Sequence, residues 1–266
     1  MASSYSEICK KTIEIVQQTG VFIKKEWEGF DWDKIEYKGV NNLVSYVDKE
    51  AEKILVKGLS SILPEAGYIT EEGTVAQRTN EEYVWLIDPL DGTTNFMHGL
   101  PLYSISVGLM RGNEMVVGVI LDPSRGECFH AAKGEGAFCN NKPIKVSKAK
   151  ELSQSLLATG FPYHDFEKVP YFLNVLSDFM KSSHGIRRCG SAAIDLAWVA
   201  CGRFEAYYEW SINSWDVAAG VLIVQEAGGK VTDFMGGDDY IFSHKIVASC
   251  GSIHDDLVGT IKKHWR

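Results

Sequence analysis

Val84-Trp85-Leu86-Ile87-Asp88-Pro89-Leu90-Asp91-Gly92-Thr93-Thr94-Asn95 is the stretch around which the chain is organised. Its first four residues form an apolar run of the length of a buried strand. Asp88 and Asp91 stand three residues apart where that strand is expected to end. Pro89 holds Asp88 in an extended conformation and predicts that strand pairing stops there. Gly92 frees the backbone for a turn, and Thr93-Thr94-Asn95 can open a helix. Such a corner sets carboxylates beside free N–H groups. It can hold a hard cation and receive a phosphate at a helix N-terminus.

Three other stretches place acids at comparable corners. Tyr68-Ile69-Thr70 reads as a strand that delivers Glu71 and Glu72 into a turn at Gly73. Leu43 to Val47 reads as a short strand ended by Asp48; Ala51, Ile54, Leu55, Leu59 and Ile62 then mark a helix that stops near Pro64. Asp48 is therefore first of all a helix N-cap, a role compatible with catalysis. Trp215-Asp216 opens a helix that ends at Gly228-Gly229.

If the fold brings Glu71, Asp88, Asp91 and Asp216 together, they must protonate, spread apart or bind cations. Two carboxylates about 4 Å apart repel by roughly 4 kcal/mol at an effective dielectric near 20. Oxygen ligands without His or paired Cys favour Mg²⁺ or Mn²⁺ over zinc. The Leu90 carbonyl could complete a ligand shell. Two ions roughly 3.5–4 Å apart suit an in-line phosphoryl displacement by an activated water. Thr93 could orient that water while donating to Asp48, and the N–H groups of Gly92 and Thr93 could hold phosphate oxygens.

Other chemistries fit less well. There is no GxSxG elbow, no Cys-x5-Arg loop and no P-loop. The seven histidines lack metal-binding spacing. A net charge of -8 with scattered Lys and Arg argues against a nucleic-acid partner. The six cysteines lie far apart without a CxxC pair, as expected of reduced thiols in a cytoplasmic protein. The N-terminus lacks the pattern of a signal peptide, and no run approaches the roughly 20 apolar residues that span a bilayer.

The rest of the chain predicts layered α/β structure. Cys9, Ile13, Val16, Gly20, Ile23 and Trp27 form the stripe of an amphipathic helix. Residues 29 to 42 read as a polar loop carrying Lys38-Gly39. Residues 105 to 131 read as an antiparallel meander with a turn at Gly112-Asn113. Strands and helices alternate thereafter, with Phe172, Leu173, Leu176, Phe179 and Met180 marking one helix and Gly190-Ser191-Ala192-Ala193 opening another. No linker-like stretch appears. The expectation is one domain over 1–266 with two lobes, approximately 1–150 and 151–266, sharing an interface.

Taken together, these stretches resemble the inositol monophosphatases of the lithium-sensitive, Mg²⁺-dependent phosphatase superfamily. The matching residues are Asp88 to Phe96, the Glu71-Glu72 turn, Gly190 to Ala193, Tyr207-Tyr208-Glu209, Trp215-Asp216-x-Ala218-Ala219-Gly220 and Glu226 to Gly229, in the family's order. The resemblance implies an αβαβα sandwich of the sugar phosphatase type, with an antiparallel-rich N-terminal lobe and a smaller C-terminal α/β lobe. It also implies a homodimer acting on a small phosphate monoester. It makes Glu71, Asp88 and the Leu90 carbonyl ligands of a first Mg²⁺, and Asp88, Asp91 and Asp216 ligands of a second. A third, weaker ion would sit near Glu71 through waters. Thr93 with Asp48 would activate water, with Glu71 and Asp91 completing the catalytic set. Gly92, Thr93, Gly190, Ala192, Glu209 and Asp216 match substrate contacts, and Lys38 matches a loop lysine near the site.

There are departures from the family pattern. Asn42 stands where the animal enzymes carry an acid, the loop after Lys38 is one residue shorter, and Ser191 replaces a threonine. Relatives use this core on fructose 1,6-bisphosphate, adenosine 3′,5′-bisphosphate or NADP. A carboxylate at Glu209 suits a polyol hydroxyl and would repel a second phosphate, which favours a monoester. The competing expectation is a binding or regulatory protein that keeps the fold without turnover.

Overall fold

The computed structural model describes residues 4–29, 35–39, 42–162 and 166–265, the side chains of 35–39 and 42–45 excepted. The expectations attached to the side chains of Lys38 and Asn42, and to the loop between them, lie outside the described residues.

Helix α1 (Tyr5–Glu28) begins at a capping box. Ser4 Oγ accepts the Glu7 N–H, and the Glu7 carboxylate accepts the Ser4 N–H. These bonds satisfy donors that a helix start leaves orphaned. Its buried stripe of Ile8, Cys9, Val16 and Ile23 packs with α2 (Tyr46–Ile62) on one face of a seven-stranded sheet. That sheet has the order β3 (Gly67–Thr70), β4 (Tyr83–Asp91), β5 (Ser104–Arg111), β6 (Glu114–Asp122), β7 (Glu127–Ala132), β8 (Ala137–Cys139) and β9 (Lys142–Pro143). The pairing of β3 with β4 is parallel and the rest is antiparallel. The meander is thus where the sequence placed it.

The second half forms a five-stranded mixed sheet. Its order is β11 (Gly185–Arg187), β10 (Leu156–Thr159), β12 (Ala206–Trp210), β14 (Lys245–Ser249) and β13 (Lys230–Thr232). Helices α5 (Ala192–Ala200) and α6 (Ser214–Glu226) lie between the two sheets in one continuous apolar core. Helices α4 (Val169–Ser182) and α7 (His254–His264) cover the outer face of the second sheet. The layers run αβαβα.

The central layer explains the apolar character of α5 and α6. Both are enclosed on both sides, so neither carries the polar face of a surface helix. Two glycines set how deeply α6 sinks onto the first sheet. Gly108 and Gly118 are register partners on β5 and β6. A methyl on Gly118 would lie 2.5 Å from the Ala219 carbonyl oxygen, and one on Gly108 would lie 3.1 Å from Ala218 Cβ. The close approach fixes the start of α6, and with it Asp216.

Three local expectations are corrected. Residues within the predicted 29–42 loop instead form strand β1 (Ile35–Gly39), paired antiparallel with β2 (Asn42–Ser45). Pro89 does not end strand pairing: β4 continues to Asp91, which pairs with Ser104, and the register shift between Asp88 and Asp91 absorbs the proline. An edge or a bulge tolerates the missing N–H. Asp48 is not the N-cap of α2, because the helix begins two residues earlier at Tyr46. In α4, Leu173 and Met180 belong to the apolar spacing but are exposed, while Phe172 and Phe179 are buried.

Candidate active site

The bulge that ends β4 opens into a left-handed turn at Gly92, with φ +92°. A side chain there would be strained by the backbone and would also meet the Leu102 carbonyl oxygen at 2.9 Å. From this turn the short helix α3 (Thr93–Met97) departs. Asn95 fastens the corner, its side-chain amide donating to the carbonyls of Leu102 at 2.7 Å and Cys189 at 2.8 Å.

A cavity of about 490 Å³ opens over this corner. Glu71, Asp88, Asp91 and Asp216 all line it, as do Gly92 and Thr93. Gly190, Ala192, Glu209 and Leu90 line it as well. The four acids expected from three separate stretches of the sequence therefore share one cavity.

Each acid is held by its local structure. Asp88 is buried, and its Oδ1 accepts the Leu90 N–H at 2.9 Å across the bulge. Asp91 Oδ2 accepts the Ser191 hydroxyl at 2.6 Å and the Ala193 N–H at 2.8 Å, both at the start of α5. Asp216 is the third residue of α6 and accepts the Asn213 N–H at 2.9 Å in a capping box. Glu71 follows β3, and the turn that carries it is tied to Glu52 of α2. The buried Glu52 carboxylate accepts from Thr70 Oγ1 at 3.0 Å, Glu72 N at 2.8 Å, and Thr74 N and Oγ1 at 2.6 and 2.7 Å.

The Thr93 hydroxyl lies 2.9 Å from Asp48 Oδ1 and 2.9 Å from the Leu90 carbonyl oxygen. Both neighbours only accept, and a hydroxyl has one proton, so Thr93 donates to one of them at a time. Its lone pairs then remain available to a water. Asp48 is buried in the first turn of α2, where the helix dipole favours a negative charge.

Crowding makes the cluster electrostatically costly. Burial, and then the charge of Asp216, hold the Glu71 carboxyl well above the ordinary carboxylate range. Burial and the neighbouring Glu71 do the same to Asp88. Asp216 is pushed up to about 8 by burial and by Asp91. Asp91 is raised by burial against the pull of its bonds to Ser191 and Ala193. The side chains of Glu71 and Asp216 each lie within hydrogen-bond reach of Asp88. Bare carboxylates at such separations must share protons or accept a cation.

Among the described residues, no three carboxyl, imidazole or thiol groups already close into a metal cage. The donors nonetheless fit Mg²⁺ in kind. They are carboxylates and one carbonyl, gathered pairwise around Asp88 and short of positive charge. No His or Cys stands among the four acids to favour a softer metal.

Several cavity residues are not evident from sequence reasoning. Arg188 lines the wall, stacks 5.7 Å over the Phe161 ring and lowers the carboxyls of Asp91 and Glu209. Asp195, in the first turn of α5, is buried, and its Oδ1 has no hydrogen-bond partner among the described residues. His244 also lines the cavity, with Nδ1 2.7 Å from the Ile212 carbonyl oxygen. An acid inside the apolar run 192–200 was the available signal for Asp195. The i, i+4 spacing of Asp48 and Glu52 was the signal for Glu52.

Away from the cavity, all six cysteines are unbridged; Cys9, Cys128 and Cys250 are buried and the other three half-buried. No helix among the described residues is long and apolar enough to cross a membrane.

Comparison with known proteins bears on what such a cavity does. The profile of the inositol monophosphatase family matches residues 4–266. The Nus factor SuhB of Pseudomonas aeruginosa is 38% identical over 256 residues, covering 95% of this chain and 94% of that protein. Among solved structures, the extragenic suppressor protein suhB of Bartonella henselae superposes with a TM-score of 0.88 at 36% identity, covering 96% of this chain and 98% of its own. The inositol monophosphatase of Anabaena (Nostoc) superposes with a TM-score of 0.85 at 35% identity, covering 97% and 96%.

Proposed function

Because the chain belongs to the inositol monophosphatase family, we propose that it is a Mg²⁺-dependent phosphomonoesterase that hydrolyses myo-inositol monophosphates to myo-inositol and phosphate. The observation that carries this reading is the Thr93–Asp48 hydrogen bond of 2.9 Å beside the cavity that gathers Glu71, Asp88, Asp91 and Asp216. A protein that only bound a phosphate ester would need the cavity but not a cavity-lining hydroxyl held against a buried carboxylate.

On this reading Glu71, Asp88 and the Leu90 carbonyl hold one ion, and Asp88, Asp91 and Asp216 hold a second. A third, weaker ion would be held near Glu71, and Mn²⁺ would serve in place of Mg²⁺. Bound there, the ions supply Lewis-acid charge and a bound water of lowered pKa. Thr93 Oγ1 donates to Asp48 and accepts from the attacking water, so the water's proton passes by way of Thr93 to the Asp48 carboxylate. The water oxygen bonds to phosphorus as the ester P–O bond breaks, and the departing inositol oxygen takes a proton from cavity water. The N–H groups of Gly92 and Thr93 hold phosphate oxygens. Glu209 accepts an inositol hydroxyl, and the backbone of Gly190 and Ala192 completes that wall.

The same reading takes residues 1–266 as a single catalytic unit and places the enzyme in the cytoplasm as a homodimer. Family resemblance is what supports the dimer. The carboxylate at Glu209 favours a monoester over fructose 1,6-bisphosphate, adenosine 3′,5′-bisphosphate or NADP.

One finding favours a second reading. Relatives that match nearly the whole chain carry the name Nus factor rather than that of a phosphatase. On that reading the protein serves as a factor, turnover is secondary, and a small phosphate ester is not its only partner. Purified protein assayed with Mg²⁺ against a panel of phosphate esters separates the two. The phosphatase reading expects Mg²⁺-dependent phosphate release, fastest from myo-inositol 1-phosphate and inhibited by Li⁺. No release above the protein-free control from any ester would overturn it.

A further inference from the structure

We propose that Gly160 is a specificity-determining residue: by carrying no side chain, it seats the Glu209 carboxylate where a substrate hydroxyl is received. The inference rests on the reading of Glu209 as that acceptor.

Sheet register creates the seat. Strands β10 and β12 run parallel, with Leu157 opposite Ala206, Ala158 opposite Tyr207 and Thr159 opposite Tyr208. The Thr159 hydroxyl donates to the Tyr208 carbonyl at 2.7 Å and locks the end of this pairing. Gly160 comes next along the chain, beside Glu209. A methyl built on Gly160 would lie 1.9 Å from Glu209 Oε2, 2.0 Å from Cδ and 2.1 Å from Oε1. These three carboxylate atoms are the nearest to that position, so a side chain at 160 meets Glu209 first.

The backbone does not require glycine there. Gly160 lies outside the left-handed region, so an L-residue can adopt its conformation. The nearest obstacle to a side chain is the Glu209 carboxylate. Glu209 is buried against the cavity, and its Oε2 accepts the Tyr207 hydroxyl at 2.5 Å. Tyr207 is fully buried in the inter-sheet core, so the clamp cannot follow Glu209 if it moves. A carboxylate at the end of a rotatable chain can swing away without unfolding the sheet. Alanine at 160 should therefore leave the fold intact, evict Glu209 and break its bond to Tyr207.

The chemical consequence concerns the alcohol part of the ester. Thr159, Gly160 and Glu209 line the same cavity as Asp91 and Asp216. With Glu209 seated, the site favours esters whose alcohol presents free hydroxyls beyond the phosphate, as a polyol does. With Glu209 displaced, that preference goes, while the acids around Asp88 stay in place.

The test compares wild type, Gly160→Ala, Glu209→Gln and the double variant on myo-inositol 1-phosphate and p-nitrophenyl phosphate in saturating Mg²⁺. A crystal structure of Gly160→Ala accompanies the kinetics. A charge-assisted hydrogen bond of about 1.5–3 kcal/mol corresponds to roughly a tenfold or greater change. We expect KM for the inositol ester to rise by about that factor in Gly160→Ala, with a several-fold smaller effect on the aryl ester. The double variant should match Glu209→Gln alone, and Glu209 should have left Tyr207 in the crystal. Equal losses on both esters, penalties that multiply in the double variant, or an unmoved Glu209 would each overturn the proposal. A wild-type protein that splits neither ester overturns the reading of function and the substrate preference with it; the crystal structure still decides whether Gly160 seats Glu209.

Discussion

Glu52 accepts both the backbone N–H and the hydroxyl of Thr74, at 2.6 and 2.7 Å. With Thr70 and Glu72 as further donors, one buried carboxylate on α2 fixes the turn that carries Glu71. Replacing Glu52 by Ala strands the buried Thr70 hydroxyl, while the half-buried Glu72 and exposed Thr74 can turn to water; leaving a buried donor unsatisfied costs about 1–3 kcal/mol. Glu52→Ala should lower stability by about 1–3 kcal/mol in urea unfolding, and should weaken Mg²⁺ binding by calorimetry because Glu71 loses its support. Unchanged Mg²⁺ affinity in a destabilised variant would show that Glu52 serves only the fold.

Thr93 and Asp48 should behave as one unit. General-base assistance is worth about 10²–10⁴ in rate. Thr93→Val and Asp48→Asn should each lose turnover in that range, and the double variant should be little worse than either. Groups that act together give such non-additive losses. Losses that multiply would separate the two residues and remove the proton route from water to Asp48.

The four-acid cavity should make the metal-free protein less stable as pH rises. The folded-state pKa of Asp216, about 8, lies above its ordinary 3.8, so between those values the folded protein binds more protons than the unfolded. Stability then falls with rising pH through that window. Asp216→Asn should raise the melting temperature of the metal-free protein at pH 8, with the gain shrinking towards pH 4. It should also abolish most of the stabilisation by Mg²⁺ that the proposed function expects of the wild type. A variant less stable than wild type at pH 8 without metal would contradict this.

His254 should produce the opposite slope. It is buried at the start of α7, with Nε2 2.9 Å from Thr232 Oγ1 and Nδ1 2.8 Å from Ser249 Oγ. Burial, with Lys230 nearby, lowers its pKa from 6.5 to about 4. The folded protein therefore resists protonation. The contribution is complete above about 6.5 and is lost as pH falls towards about 4, amounting to roughly 3 kcal/mol at most. His254→Gln should flatten the acid limb of a stability–pH curve in that window. An unchanged limb would assign the acid loss elsewhere.

What the sequence disclosed about the site were runs in which one strand end and one turn stand side by side. Asp88 to Asn95, Glu71-Glu72-Gly73 and Trp215-Asp216 are of this kind, and the cavity gathers all of them. The layered α/β order was legible for the same reason, since each element carries its own periodicity. Gly160 and Arg188 were not, because their meaning depends on which strand end lands beside which after the sheet forms. Glu52 does not stand out in the sequence, because its burial against a turn 20 residues away exists only in the fold. Asp48 looked like a cap because its neighbours are strand-like. The helix starts earlier, and the same residue faces Thr93. Pro89 looked like a terminator, but a bulge can hold a residue with no N–H to offer.

Asp91 belongs to the first sheet, yet its Oδ2 is gripped by Ser191 and Ala193 at the head of a helix enclosed between both sheets. The pocket is therefore a joint product of two halves of the polypeptide and cannot be finished by either one. A refolding chain that has completed only its amino-terminal strands would own most of the acids but leave Asp91 loose. Recovery of phosphate release during refolding should consequently lag the recovery of early secondary structure and coincide with the closing of the last interface.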